Sequence, residues 1–151
     1  MKYIQIRGTK DAGKSTTMNE VCKRLNPSSI KKLRDKEFIE CELGTEIFND
    51  TFLITYKNKN ILIVAGAPTE QSRTFTFIIS VCIELKIEIS LALVSMRSSE
   101  RKVGYDTLNE LENFGTCIFN EQIWQVQGEY KESKEWNERI ENLLTLINTN
   151  I

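Results

Sequence analysis

The sequence contains no histidine among its 151 residues. Histidine is the commonest general base and the commonest metal ligand in proteins, because its charge changes near neutral pH. Its absence excludes any mechanism that depends on an imidazole. Chemistry in this chain must therefore use lysine, arginine, carboxylates, hydroxyls, backbone amides or a bound metal.

Paired cysteines and long apolar runs are missing as well. The four cysteines, Cys22, Cys41, Cys82 and Cys117, form no C-x-x-C pair, so their spacing indicates no zinc site. No window of about eighteen consecutive apolar residues occurs, and "MKYIQIRG" is too short an apolar run for a signal peptide. We therefore expect a cytoplasmic protein with reduced thiols and no membrane partner.

Charge and length set the remaining bounds. Apolar residues make up 40% of the chain and charged residues 27%, which is ordinary for a soluble globular protein. The formal net charge of −1 gives no electrostatic reason to expect nucleic acid as a partner. A length of 151 residues suits one domain over residues 1–151, large enough to bury a core.

The first half of the chain alternates between apolar runs and loop signals. "KYIQI" predicts a strand, and residues 14–25 predict a helix that ends at an Asn-Pro pair. Residues 28–50 mix charged and apolar side chains without a period, so we expect an irregular segment there. Two β-rich runs, 51–56 and 61–65, flank "KNKN" and predict an antiparallel hairpin.

Helices and strands continue to alternate in the second half. Residues 75–85 are apolar nearly all round, and their length predicts a buried helix, although their β-branched content also allows a strand. A homodimer face is the alternative to burial of this helix. "IEISLALVS" predicts a buried strand, and the helix after it would begin at Ser98 or Ser99 and end before Gly115. "TCIF" predicts a last strand. The terminal segment predicts an amphipathic helix with one apolar stripe, formed by Trp136, Ile140, Leu143 and Ile147.

The order of these elements predicts an α/β fold. Strands that alternate with helices are typical of a three-layer α/β/α sandwich around a mainly parallel sheet. The hairpin would add one antiparallel strand at the edge of that sheet.

The stretch "GTKDAGKST", residues 8–16, follows the first strand directly and matches the pattern G-x-x-x-x-G-K-[ST]. Gly8 lets the chain leave the strand, and Gly13 lets the backbone approach phosphates closely. The amides between them form an anion nest, and the helix after Gly13 turns its positive end toward the same anion. Lys14 would place its ammonium on the outer phosphates, and Ser15 its hydroxyl on Mg²⁺.

With these residues the chain resembles the P-loop NTPase superfamily, most strongly over residues 2–25. The loop also looks like that of thymidylate and related nucleotide kinases, which often carry an acidic residue where this chain has Asp11. The resemblance implies a P-loop NTPase-like fold, ATP or GTP as ligand, and Mg²⁺ held by Ser15. The residues that it implies for the nucleotide are Gly8, Thr9, Lys10, Asp11, Ala12, Gly13, Lys14, Ser15 and Thr16.

Two parts of the superfamily's pattern are missing. The second hairpin strand ends in Ala65, where P-loop proteins usually carry an aspartate for the Mg²⁺ shell, and no N-K-x-D follows a later strand. Guanine specificity is therefore unsupported, and ATP is the default. Gln71 or Glu70 could orient a water, as in the switch of small GTPases. The acids that could replace the aspartate, each with a solvated surface charge as its alternative, are Asp35, Glu37, Glu40, Glu42 and Glu70.

Three arginines are candidates for contact with a transferring phosphoryl group. Arg97 and Arg101 are four residues apart, so they would share one face at the start of a helix. In nucleotide kinases such a pair clamps the phosphoryl group, and neutralising its charge is most of the catalysis. Arg73, after the hairpin, is the third candidate. The alternative for these arginines is a surface ion pair.

These observations leave three functions open. The first is an ATP-dependent phosphotransferase acting on a nucleotide or small molecule, with Lys14, Arg97 and Arg101 as catalytic residues. The second is a nucleotide-dependent switch or weak NTPase, similar to a small GTPase, that presents residues 28–50 to a protein partner. The third keeps only a phosphate or sulfate in the loop. "EQIWQVQGEY" would form a loop over the base or a late edge strand.

Overall fold

The computed structural model describes residues 1–126 and 128–151. Within them, seven strands form one sheet: β1 (Lys2–Arg7), β2 (Ser29–Arg34), β3 (Glu37–Cys41), β4 (Thr51–Tyr56), β5 (Lys59–Val64), β6 (Leu91–Met96) and β7 (Thr116–Gln122). The helices are α1 (Lys14–Leu25), α2 (Pro68–Gln71), α3 (Phe75–Glu84), α4 (Thr107–Phe114) and α5 (Lys134–Asn150), and Tyr130–Glu132 form a short 3₁₀ turn.

The sheet is mixed, with strand order β3-β2-β4-β5-β6-β1-β7. Only three neighbouring pairs are parallel: β5 with β6, β6 with β1, and β1 with β7. The pairs β3–β2, β2–β4 and β4–β5 are antiparallel. The chain is therefore an α/β protein, but the predicted P-loop NTPase-like sheet, mainly parallel with one antiparallel edge strand, is wrong.

The error comes from the segment that was expected to be irregular. Residues 28–50 contain the hairpin β2–β3, and β2 pairs with β4 on its other side, so β4 is an inner strand. Ile30 and Leu33 of β2 are both buried, but they belong to core clusters on opposite faces of the sheet. An inner strand with one apolar anchor on each face shows no period-two pattern, so its sequence does not look like a strand.

The predicted hairpin of β4 and β5 is confirmed. Lys57 and Asn58 form its two-residue turn with positive φ values of 49° and 59°, as a type I′ turn requires. The predictions of β1, α1, α3 and the last strand are also confirmed. The helix after β6 begins later than expected, at Thr107 behind the N-cap Asp106, so neither Ser98 nor Ser99 caps it.

Helices cover both faces of the sheet. α1 and α5 pack on one face, where the predicted stripe of Trp136, Ile140, Leu143 and Ile147 is buried. α3 and α4 pack on the other face through side chains such as Phe75 and Leu111. In the described part of the chain, no helix is both long enough and apolar enough to cross a membrane.

The exits from β1 and β6 position the candidate site. These neighbouring parallel strands are linked just past their ends by the bond from Gly8 N to Met96 O, 3.1 Å. The chain leaves β1 toward α1 on one face and leaves β6 toward α4 on the other. Such opposite exits open a crevice at the carboxyl ends of the strands, where ligands of α/β proteins bind.

Replacing Ile140 by alanine tests the packing of α5 on the sheet. Ile140 is fully buried, so the cavity left by Ile140→Ala should lower the free energy of unfolding by about 2–5 kcal/mol. Urea denaturation measures the change. The exposed Glu138 on the same helix provides the control, since Glu138→Ala should stay within about 0.5 kcal/mol. Equal effects of the two substitutions would contradict the placement of α5.

Candidate phosphate-binding site

The loop between β1 and α1 is held by two glycines in different ways. A Cβ on Gly8 would lie 2.8 Å from Ala12 Cβ, so only glycine fits where the loop closes on itself. Gly13 has φ +95°, a conformation that favours glycine, and it is the N-cap of α1. Asp11 also has a positive φ, 64°. The loop therefore curls back on itself before the helix begins.

Most amide N–H groups of this loop are unused. Ala12 N donates to Thr9 O, 3.2 Å. Within residues 1–126 and 128–151 no hydrogen-bond acceptor meets the amides of Lys10, Asp11, Gly13, Lys14, Ser15 and Thr16. Three of these six belong to the first turn of α1, whose dipole places partial positive charge at the same point. Such a group of donors attracts an anion.

Lys14 lies against the inside of the loop. Its Nζ donates to Gly8 O at 2.9 Å and to Thr9 O at 2.8 Å, and the residue is only 5% exposed. Burial lowers the pKa of the Lys14 ammonium below its ordinary 10.5, and the nearby Arg97 lowers it further, whereas the carboxylate of Glu70 opposes the change. The ammonium is thus held in a place where an added negative charge would stabilise it.

Just past the end of β5, the backbone carbonyl of Ala65 lies where the loop motif led us to expect an aspartate. Ala65 O accepts hydrogen bonds from Ser15 Oγ and from Ser95 Oγ, both at 2.9 Å. Ser15 Oγ in turn accepts the N–H of Asn49 at 3.3 Å. The Ser15 hydroxyl is therefore oriented by the strand end on one side and by the segment before β4 on the other.

A cavity of about 490 Å³ lies next to Lys14 and Ser15. Arg97 and Glu70 line it together, with Arg97 Nε 2.7 Å from Glu70 Oε1 but without the angle of a hydrogen bond. Among the acids proposed as substitutes for the missing aspartate, Glu70 is the one that lines this cavity. The structure thus brings Lys14, Ser15, Glu70 and Arg97 to one cavity.

Arg101 shares a cavity with Arg97 but does not share a helix face with it. The two were expected to share a helix face, but α4 begins only at Thr107, so that expectation is wrong. Arg101 is exposed and lines a neighbouring cavity of about 430 Å³ on the Thr9 side of the loop, to which Arg97 also contributes.

The other candidate acids lie far from the loop. Asp35 is in the β2–β3 turn, and Glu37 and Glu40 lie in β3. β3 is five strand spacings from β1, roughly 24 Å. Glu42 follows the distant end of β3 and lines neither cavity beside Arg97.

Arg73 and Gln71 belong to a structural network around Asp50. Asp50 Oδ1 is 2.7 Å from Arg73 Nη1, and Asp50 Oδ2 is 2.9 Å from Arg34 Nη1. Burial by itself would raise the pKa of Asp50, but the N–H of Thr51 and the two guanidinium groups outweigh burial and lower the pKa. Gln71 bonds to Gly66 O and to the Thr51 hydroxyl. Both side chains therefore hold the strand ends together.

Sequence reasoning missed Arg139. This residue of α5 is 7% exposed, and its Nη1 lies 3.7 Å from the place that a Cβ on Gly13 would take. The signal that could have revealed it is its position inside the apolar stripe of α5, between Trp136 and Ile140. An arginine is rarely buried at such a position unless its charge has a partner.

The segment "EQIWQVQGEY" begins in strand β7 and continues beyond it. Its first two residues complete the edge strand β7, and Gln127 lies outside the described residues. Gln125 and Val126, with Tyr130, line a cavity of about 150 Å³ that also touches Asp11 and Gly13. The loop over a base thus remains a prediction.

No protein-family model matches the chain, and no curated protein or solved structure matches it either. The chemistry of the site therefore has to be argued from its own geometry.

The pKa of Lys14 provides a direct test of the site. We expect a pKa below 10.5 in the ligand-free protein and a higher pKa with bound pyrophosphate, because an adjacent anion favours the charged ammonium. NMR titration of the labelled lysine Cε measures both values, with the exposed Lys23 as an internal control. A Lys14 signal that does not respond to saturating pyrophosphate would contradict a phosphate at this position.

Proposed function

We propose that the chain binds the phosphate groups of a nucleoside triphosphate in the loop 8–16. The observation that carries this proposal is the set of six amides without acceptors around a buried lysine. A phosphate chain has the oxygen acceptors to use several of these donors at once, with charge-assisted hydrogen bonds. A larger cleft of about 540 Å³ is lined by three acids, Glu121, Glu135 and Glu138, and by two cations, Lys134 and Arg139, so its balance of charge is less favourable for phosphates.

Mg²⁺ suits this site as an ion that arrives with the nucleotide. Mg²⁺ keeps several of its waters and needs only one or two protein ligands beside the phosphates. Ser15 Oγ and the Glu70 carboxylate both line the cavity and are the oxygens that would serve. The described residues hold no cluster of three acidic or thiol side chains that would bind a metal alone. The bound ion would supply charge neutralisation for the phosphates.

Phosphoryl transfer to a second molecule is the activity that we propose. Lys14 and Arg97 are, with Lys10, cations at the cavity, and neutralising the developing charge is the main requirement of phosphoryl transfer. The neighbouring cavity of about 430 Å³ shares Arg97 and offers room for an acceptor, with Arg101 on its wall. ATP is the default nucleotide, and the acceptor is a nucleotide or another small molecule.

A nucleotide-dependent switch is the second candidate, and one contact favours it. The Asn49 amide donates to Ser15 Oγ, the hydroxyl that a metal would use. Next to it, Phe48 is 59% exposed and lines the same cavity. Metal binding would therefore compete with the bond that holds the segment before β4, and the change could be presented to a protein partner.

Binding of a fluorescent ATP analogue with Mg²⁺ tests the proposed ligand. Lys14→Ala removes the ammonium and should weaken binding about 10- to 100-fold, since a hydrogen bond to a charged group contributes about 1.5–3 kcal/mol. Lys23→Ala changes the net charge equally at an exposed position of α1 and should leave binding unchanged. Equal affinity of the Lys14→Ala variant and the original chain would overturn the proposal, and competition with GTP tests the base preference.

The fate of the γ-phosphate separates the two candidates. γ-Labelled ATP is incubated with the protein, alone and with small-molecule acceptors, and the products are resolved by thin-layer chromatography. Transfer of label to an acceptor, with loss of transfer in Arg97→Ala, supports the phosphotransferase. Slow release of phosphate alone, together with a change in hydrogen exchange at residues 45–50 on nucleotide binding, supports the switch instead.

A further inference from the structure

Arg139 is a buried cation close to the phosphate loop. Its side chain is 5% exposed, and its Nη1 donates to Thr17 Oγ1 in the first turn of α1 at 3.3 Å. Its Nη2 donates to Trp124 O at 3.4 Å. The guanidinium thus lies between α5, α1 and the segment after β7, directly behind Gly13.

Glu121, Glu135 and Glu138 line one cleft with Arg139, but in the described part of the chain none of these carboxylates is hydrogen-bonded to its guanidinium. Within the described residues its ion-pair partner is Glu135, at 3.8 Å, and that carboxylate is 65% exposed. The neutral acceptors Thr17 and Trp124 give weaker compensation than a buried carboxylate would. Burial lowers the pKa of the Arg139 guanidinium, and the carboxylates of Glu121 and Glu135 oppose this change only in part.

The position is also unfavourable with respect to α1. The N-terminus of a helix carries partial positive charge, so it stabilises anions and destabilises cations within its first turn. Arg139 bonds to that turn at Thr17, and the same turn begins with Lys14, a second buried cation. Two cations and a helix N-terminus therefore share one region in the protein without ligand.

We infer that Arg139 is a positioning residue of the phosphate site: it holds the first turn of α1 and adds a buried positive charge that raises affinity for a phosphate chain. This inference rests on the proposed function. The same charge disfavours the ligand-free protein, because it is desolvated beside other positive groups. Binding of the anion relieves that unfavourable contribution.

If Arg139 has this role, removing its charge should lower the affinity for pyrophosphate without lowering the free energy of unfolding. Arg139→Met keeps much of the side-chain volume and removes the charge. The variant should unfold at an equal or higher urea concentration, since replacing a poorly compensated buried ion by an apolar side chain is often neutral or stabilising. Its affinity for pyrophosphate should fall at least tenfold, because one pair of unit charges roughly 10 Å apart already gives about that factor at an effective dielectric constant near 20, and pyrophosphate carries several negative charges.

Isothermal titration with pyrophosphate and urea denaturation measure the two quantities on the full chain. Lys134→Met is the matched control, since it removes a cation from the same helix at a position 88% exposed and should change neither quantity. Arg139→Lys keeps the charge and should recover most of the lost affinity. A merely structural arginine predicts the reverse, with stability lost and affinity kept, or both lost in parallel, and either result would overturn the inference.

Two further results complete the test. Glu135→Gln removes the exposed carboxylate beside Arg139 and should tighten pyrophosphate binding about twofold, so it decides the question even if Arg139→Met does not fold. Unchanged affinity in Glu135→Gln, or full affinity in Arg139→Met, would overturn the role of Arg139 alone. Failure of the original chain to bind either pyrophosphate or ATP would instead remove the proposed function and the inference with it.

Discussion

The contact between the Lys14 ammonium and the carbonyl oxygens of Gly8 and Thr9 is the interaction on which the candidate site depends. Because these carbonyls face the lysine, the amides of the same loop are left without acceptors in the described chain. The anion that we propose would therefore meet donors that are already in place, and little backbone order would have to be created on binding. Gly8 is necessary for this arrangement, since a Cβ there would collide with Ala12.

The fold concentrates positive charge at this point and supplies few carboxylates to balance it. α1 presents its N-terminus, Lys14 and Arg97 line the cavity, and Arg139 lies behind Gly13. Glu70 and Asp11 are acids that line the same cavity. At the end of β5 a carbonyl takes the place of a carboxylate and binds two serine hydroxyls, which distinguishes this site from the one that its loop motif led us to expect.

Much of the fold was predictable because local patterns decide it. The strand before the loop, the hairpin with its two-residue turn and the stripe of α5 follow from periods of 2.0 and 3.6 and from turn residues. β2 was missed because its anchors Ile30 and Leu33 face opposite sides of the sheet. The expected helix face for Arg97 and Arg101 is wrong because ten non-helical residues separate β6 from α4. The four-residue spacing of the two arginines does not distinguish such a segment from a helix.

The sequence by itself determined the loop, its two glycines and the lysine that follows them, since these depend on neighbours within a few residues. Only the tertiary structure decided the sheet order, which joins a parallel half to an antiparallel half. It also decided which distant side chains reach the loop, namely Glu70, Arg97 and Arg139. Strand pairing and the packing of α5 join residues that are far apart in the chain, so local sequence patterns do not predict these contacts.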